Sequence, residues 1–182
     1  MAVDEHGIEW SSREDRDRLI IESAFGGCAP RPKMRARMRV NFNQLITNPA
    51  TGKTSFGTFP LIDFRRAQFA GGPIVLRRGR HTETGHGFGF MHIWQARYPQ
   101  CTTESTAISL VTDLISRIIA PGASIHYEFV NLGSADRRTS VFRNGNGIVV
   151  VEERLDDHAS AFYSIVTAYP AQRVNGHKIG AL

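Results

Sequence analysis

The 182 residues carry 22 Lys and Arg against 17 Asp and Glu, a formal charge of +5 and a sequence pI near 9.7, with 41% hydrophobic residues. That content suffices for one domain of ordinary size, or for a compact domain of roughly 110 residues behind an N-terminal extension, and the basic balance favours an acidic partner such as RNA or DNA. Cys28 and Cys101 stand apart with no pairing motif, which argues against a disulfide framework or a cysteine-based zinc site, and no apolar run approaches the roughly 20 residues of a membrane span.

The acidic start from Met1 to Glu9 lacks a charged segment followed by an apolar one, so no signal peptide is visible. The expected site of action is the cytoplasm, with secretion or delivery into a target cell left open. Ser11-Ser12-Arg13-Glu14 matches a capping box, and Leu19, Ile20, Ile21 and Phe25 follow before Gly26-Gly27, so residues 12–25 read as a short amphipathic helix. Beyond the prolines at 30 and 32, Met34, Ala36, Met38, Val40 and Phe42 alternate with Lys33, Arg35, Arg37, Arg39 and Asn41. This is the pattern of a half-buried strand with one basic face. Such a face can track phosphates, and it can equally just solvate an edge and discourage edge pairing.

Asn48 to Lys53 reads as a turn, and residues 55–64 as a returning strand that makes a hairpin with the first. Gly52-Lys53-Thr54 is no P-loop, because Thr47 stands where that motif needs glycine. Gly71-Gly72-Pro73 marks the strongest internal boundary, dividing an extension of residues 1–72 from a domain of residues 73–182.

After a short strand at residues 74–76 and a basic loop, Arg77-Arg78-Gly79-Arg80-His81, comes the most informative stretch, Gly85 to Pro99. Glycines at 85, 87 and 89 free the backbone, residues 90–98 contain no helix breaker, and Pro99 closes the helix. His92 then lies in the first turns of a short helix, beside backbone donors that favour negative charge, with Arg97 further along. A second helix starts at Thr102 to Ser105, presents Ile108, Val111, Leu114, Ile115, Ile118 and Ile119, and ends at Pro121-Gly122. Strand patterns at residues 124–131, 138–143, 148–154 and 161–169 follow, with Asn144-Gly145-Asn146-Gly147 as a hairpin turn. The expected fold class is therefore α+β: an N-terminal helix and basic β-hairpin, then two helices packed on a four-stranded antiparallel sheet. Residues 172–180, including His177 and Lys178, read as a solvated tail.

In the last of those strands simple alternation puts Tyr163, Ile165, Thr167 and Tyr169 on one face. Hydroxyls at Thr167 and Tyr169 could hold phosphate oxygens, with Arg138, Arg143 or Arg154 neutralising charge, although threonine and tyrosine are also ordinary strand formers. His86 and His92, six residues apart with no carboxylate between them, do not have metal-ligand spacing. No metal and no cofactor is expected. Glu152-Glu153, the only paired carboxylate on a strand pattern, alternates to opposite faces, which ranks an ADP-ribosyl-transferring toxin last among the readings.

Gly87-Phe88-Gly89-Phe90-Met91-His92-Ile93, the long second helix, the strand meander and the closing Tyr163-Ser164-Ile165-Val166-Thr167-Ala168-Tyr169-Pro170 together resemble the barnase, EndoU, colicin and RelE-like nuclease superfamily, including its phage-associated members and bacterial toxins. The resemblance covers about residues 73–182. It implies a metal-independent endoribonuclease that leaves a 2′,3′-cyclic phosphate, with His92 as base, Thr167 and Tyr169 positioning the phosphate, and Arg143 as the strand cation. His86, Arg97 and Arg138 are the accompanying RNA-binding candidates. The implied partners are RNA, with tRNA as one candidate, and a cognate immunity or inhibitor protein if the enzyme is a toxin; a monomer is expected. Family members often carry a second histidine on the same helix, where this chain has Arg97 and Tyr98. That leaves His86, His126 or Tyr169 as candidates for the general acid. A non-catalytic RNA-binding module is the alternative reading.

Overall fold

A computed structural model describes residues 2–3, 9–10, 40–64, 67–127, 139–171 and 173–182. The helix expected over residues 12–25 and most of the basic strand, residues 33–39, lie outside the described residues, as does Arg138. In chain order the strands are β1 (Ala2–Val3), β2 (Glu9–Trp10), β3 (Ser55–Phe59), β4 (Ile62–Phe64), β5 (Ala67–Phe69), β6 (Gly72–Val75), β7 (Arg80–His81) and β8 (Gly87–Phe88). Helices α1 (Gly89–Arg97) and α2 (Glu104–Ile118) follow, and then β9 (Ser124–Tyr127), β10 (Thr139–Asn144), β11 (Gly147–Leu155), β12 (Ala161–Tyr169) and β13 (His177–Ala181).

The centre is a seven-stranded mixed sheet in the order β13-β9-β10-β11-β12-β6-β3. This corrects the expected α+β arrangement with a four-stranded antiparallel sheet: the described chain is mostly β, with two helices. The antiparallel meander β9 to β12 is present, but both of its edges are extended. On one side β13 pairs with β9, so the expected solvated tail is a strand, and Leu182 N–H donates to the Ala123 carbonyl at 2.9 Å. On the other side β6 pairs with β12 in parallel through Tyr163↔Ile74 and Ser164↔Val75, and β3 pairs with β6. Open edges present unpaired N–H and C=O groups, and these added strands satisfy them.

The single returning strand expected over residues 55–64 is corrected as well. Residues 55–64 split at Pro60 into β3, which joins the large sheet, and β4, which pairs with β5. Val40 to Phe42 are exposed and lie outside any strand, while the next residues run beside the chain after β6: Gly79 N–H donates to Phe42 O at 2.9 Å, Arg78 N–H to Gln44 O at 2.7 Å and Ile46 N–H to Leu76 O at 2.8 Å. Residues on both sides of Gly72 thus contribute to the sheet that carries the C-terminal strands.

Helix α2 has the stripe its sequence requires, with Ala107, Val111, Leu114, Ile115 and Ile118 buried. Thr103 caps its start, accepting from Thr106 N–H at 3.3 Å. Its last carbonyls are satisfied from the β10–β11 turn, where Asn144 Nδ2 donates to Arg117 O at 2.8 Å and to Ile118 O at 3.0 Å. The helix packs on the sheet face that carries Ile125, Phe142, Val149 and Ala168, all 0% exposed and all in one core cluster. Phe59 from β3 stacks on Tyr163 with ring centroids 3.9 Å apart and meets Phe142 edge-on at 5.6 Å, so the added strand is welded into this core.

Gly72 stands where β6 crosses against the start of β12. A Cβ there would lie 2.3 Å from the Ala161 carbonyl oxygen, a backbone atom that cannot move alone. Gly72→Ala should therefore destabilise the protein by about 1–3 kcal/mol, read as a lowered urea midpoint with an unchanged m-value. An unchanged midpoint would show that this strand contact contributes nothing to the global fold.

Candidate active site

The β7–β8 hairpin and α1 are built together. Gly89 has φ 75°, and a Cβ on it would lie 2.4 Å from the Arg77 carbonyl, so only glycine lets the helix start lie directly against the chain at Arg77. Phe90 N–H donates to Arg77 O and Met91 N–H to Arg78 O, each at 2.9 Å. The first amides of the helix are thus already bonded, and the backbone donors expected to attract an anion beside His92 are occupied by protein carbonyls. Arg78 is held in turn by Glu104 at the start of α2, through Nη2 to Oε2 at 3.0 Å as well as a second contact.

This framework sets two imidazoles against each other. His81 on β7 and His92 on α1 approach through their Nδ1 atoms at 3.0 Å, with ring centroids 5.2 Å apart and planes inclined by 29°. A hydrogen bond between two Nδ1 atoms needs one protonated and one bare, so the neutral pair holds complementary tautomers. One ring then presents a bare Nε2 and the other an Nε2–H. Neither Nε2 has a hydrogen-bond partner among the described residues. Burial, first, and then the charges of His81, Arg97 and His86 hold the His92 pKa below the ordinary value of 6.5. His86 itself is exposed on the loop between the hairpin strands, which is fixed by Thr82 N–H donating to His86 O at 2.8 Å and His86 N–H to Thr82 Oγ1 at 3.1 Å.

Arg97, in the last turn of α1, lays its guanidinium over the Tyr169 ring with Cζ 4.9 Å from the centroid. The helix packs against β12, so this contact ties the histidine-bearing helix to the final strand of the meander. Tyr98 contributes nothing of this kind: it is 4% exposed and burial pushes its pKa up to about 12. It is a core residue.

Simple alternation along β12 fails at a bulge. Val150 pairs with Thr167 while its neighbour Val151 pairs with Ile165, so β12 has one extra residue there. Tyr163 and Ile165 consequently enter the core, and Thr167 and Tyr169 point to the opposite face, contrary to the expectation that all four share one side. Cross-strand partners continue that opposite face as two rows: Tyr169, Ile148, Arg143 and Ser124, then Thr167, Val150, Val141 and His126. Ile148 fits this assignment, being 2% exposed yet outside the main core cluster and flanked in its row by Tyr169 and Arg143.

On this face polar atoms stand ready without partners. Arg143 Nε, Thr167 Oγ1 and Arg97 Nε are buried and have no hydrogen-bond partner among the described residues. Buried donors left unmade are costly in a finished structure, so their grouping on one face marks a surface suited to an acceptor-rich ligand. His126 reaches Ser124 Oγ through Nε2 at 3.0 Å, and its pKa is lowered by burial foremost, raised by the Gly176 backbone, and lowered by Arg143 and Lys178.

Of the residues singled out from sequence, His92, Arg97 and Tyr169 are brought together through α1 and its contact with β12, and Arg143 and Thr167 lie on the same sheet face as Tyr169. His86 borders the histidine pair from its loop. His81 was missed as a site residue. Its signal was the glycine pattern at 85, 87 and 89, which makes a hairpin that returns the chain at residue 81 to the start of α1. Glu152, by contrast, is 5% exposed and paired with Arg154 at 3.0 Å, as a structural ion pair. Among the described residues no group of three or more His, Cys, Asp or Glu converges as a metal site would, and no helix is long and apolar enough to cross a membrane.

No family model matches the chain, and no curated protein or solved structure matches it.

Proposed function

We propose that the chain is an endoribonuclease that cleaves RNA by attack of a ribose 2′-hydroxyl on the adjacent phosphorus. The observation that carries this reading is the Nδ1-to-Nδ1 pair of His81 and His92, which supplies one acid and one base in a single neutral unit. The bare Nε2 takes the 2′-hydroxyl proton, the oxygen attacks phosphorus, and the Nε2–H of the partner ring protonates the departing 5′-oxygen. As one ring gains a proton at Nε2 and the other loses one, the bridging proton crosses between the Nδ1 atoms. Both rings end neutral with their tautomers exchanged, so charge and protons balance. Arg97, Tyr169, Thr167 and Arg143 are the groups suited to the charge that gathers on the phosphate oxygens.

The test is incubation of the purified protein with total RNA and tRNA in excess EDTA, followed by analysis of product ends. Products ending in a 2′,3′-cyclic phosphate and beginning with a 5′-hydroxyl are expected. RNA that stays intact while remaining bound would overturn the catalytic reading and leave an RNA-binding module.

The pH dependence follows from the shift at His92. Protonation of the bare Nε2 removes the base while leaving the bridging bond in place. Because the His92 pKa is lowered from 6.5, the neutral pair survives to lower pH than a solvated histidine would allow. The acid limb of kcat/KM should therefore have its inflection below 6.5, activity falling as pH drops through it. An inflection at or above that value would contradict the burial of the pair.

A further inference from the structure

The sheet face beyond Arg143 holds cationic and hydroxyl groups that the histidine chemistry does not use. His126 on β9 stands in the Thr167 row, and Ser124 in the Tyr169 row beside Arg143. Lys178 on β13 pairs directly with His126, and Ile179 next to it turns to the core, so Lys178 extends the same face. Lys178 and Arg143 both lie near enough to His126 to disfavour its charged form, which places three nitrogen groups around one spot. Among the described residues neither Arg143 nor Lys178 has a salt-bridge partner, and Arg143 Nε is buried with no acceptor. Among the described arginines Arg78 pairs with Glu104, Arg117 with Asp113 and Arg154 with Glu152. The buried Arg143 Nε is left to an acceptor from outside the described residues.

Position gives the cluster its meaning. From β12 to β9 is three strand spacings of roughly 4.8 Å, about 14 Å, which is longer than one nucleotide. A phosphate held at β9 and β13 is therefore not the one beside Tyr169. We propose that Lys178 and His126 form a second phosphate subsite, with Arg143 on β10 lying between it and the scissile phosphate, and that this subsite takes a non-scissile phosphate of a single-stranded RNA laid across the strands from β12 to β13. This rests on the ribonuclease reading for the orientation of the strand, while the anion subsite itself stands on the cluster. The substrate class that follows is single-stranded RNA several nucleotides long, because a dinucleotide fills only the β12 end.

The experiment measures two things on the full chain. The first is binding of a fluorescent hexanucleotide carrying 2′-deoxyribose throughout, which cannot be cleaved by 2′-hydroxyl attack, across a salt series. The second is KM and kcat for a ribohexanucleotide and for a ribodinucleotide. Lys178 is exposed on an edge strand, so Lys178→Ala tests the subsite without disturbing the core. It should weaken hexanucleotide binding severalfold and make the slope of log K against log salt shallower by about 0.7, the share of one phosphate contact on a single strand. Lys178→Arg should restore both, and Lys53→Ala, a charge removed from a turn outside the seven-stranded sheet, should change neither. In cleavage, the loss for Lys178→Ala should fall on KM and be larger for the hexanucleotide than for the dinucleotide. A hexanucleotide bound by Lys178→Ala with the parent's affinity and salt slope would overturn the subsite, even if the parent cleaves RNA. Binding that weakens as stated while no RNA is cleaved would sustain the subsite and remove the ribonuclease reading.

Discussion

Replacing His92 with alanine should reduce RNA cleavage by about 10²- to 10⁴-fold, and replacing His81 should reduce it by a comparable factor. The second half of this expectation is the discriminating one. If His81 were only a packing neighbour, its loss would leave the base on His92 in place. In the pair, removing either ring leaves the other Nδ1 without its partner at 3.0 Å, so the tautomer at its Nε2 is no longer defined and the returning proton has no path. The double variant should then lose no more than the worse single variant, because groups that act as one unit fail together. Two independent groups would instead multiply their losses. Single-turnover cleavage of a labelled oligoribonucleotide in EDTA, with melting temperatures taken on each variant to verify folding, separates the two cases. Near-parent activity in His81→Ala would sink the paired mechanism.

Much of the local structure was legible in the sequence for plain reasons. Val111, Leu114, Ile115 and Ile118 of the expected α2 stripe are buried with helical spacing, and Asn144 to Gly147 turns β10 into β11. The long-range pairings were not legible. Nothing in residues 72–75 announces that they pair in parallel with β12 some ninety positions on, and nothing in the polar residues 177–181 announces that they close the open edge of β9. These are decisions of tertiary packing, and they turned an expected four-stranded α+β fold into a seven-stranded, mostly β one.

The site shows the same division. His92 was legible because a glycine-rich approach and a short helix frame it, and Thr167 and Tyr169 because they close the last strand. The bulge between Val150 and Val151 was invisible, since one extra residue leaves no mark on an apolar strand. It is nonetheless what separates Ile165, in the core, from Thr167, on the opposite face. The partner of His92 was sought on its own helix or at His86, His126 and Tyr169, whereas the fold supplies His81 from the preceding hairpin. The occupied helix-start amides could not be foreseen either, because their acceptors, Arg77 and Arg78, reach them only through the left-handed turn at Gly89.

Phe59→Ala should cost about 3–5 kcal/mol of stability, the range for removing a large aromatic side chain from a packed core. Phe59 is 0% exposed, stacks on Tyr163 at 3.9 Å and also meets Phe69 and Phe142 with centroids 5.7 and 5.6 Å away. It comes from β3, before the Gly71-Gly72-Pro73 segment, yet its neighbours Phe142 and Tyr163 come from the meander that carries Arg143, Thr167 and Tyr169. The cavity would therefore open beneath the strands of the candidate site and not in a separate module. Denaturant unfolding followed both by tyrosine and tryptophan fluorescence and by far-ultraviolet circular dichroism should show one transition in the parent and one, at a much lower midpoint, in the variant. If the variant instead lost a small early transition while the main one kept its midpoint, residues 55–59 would be a docked appendage. A single shifted transition would mean that the strand before Gly72 is part of the cooperative unit on which the site depends.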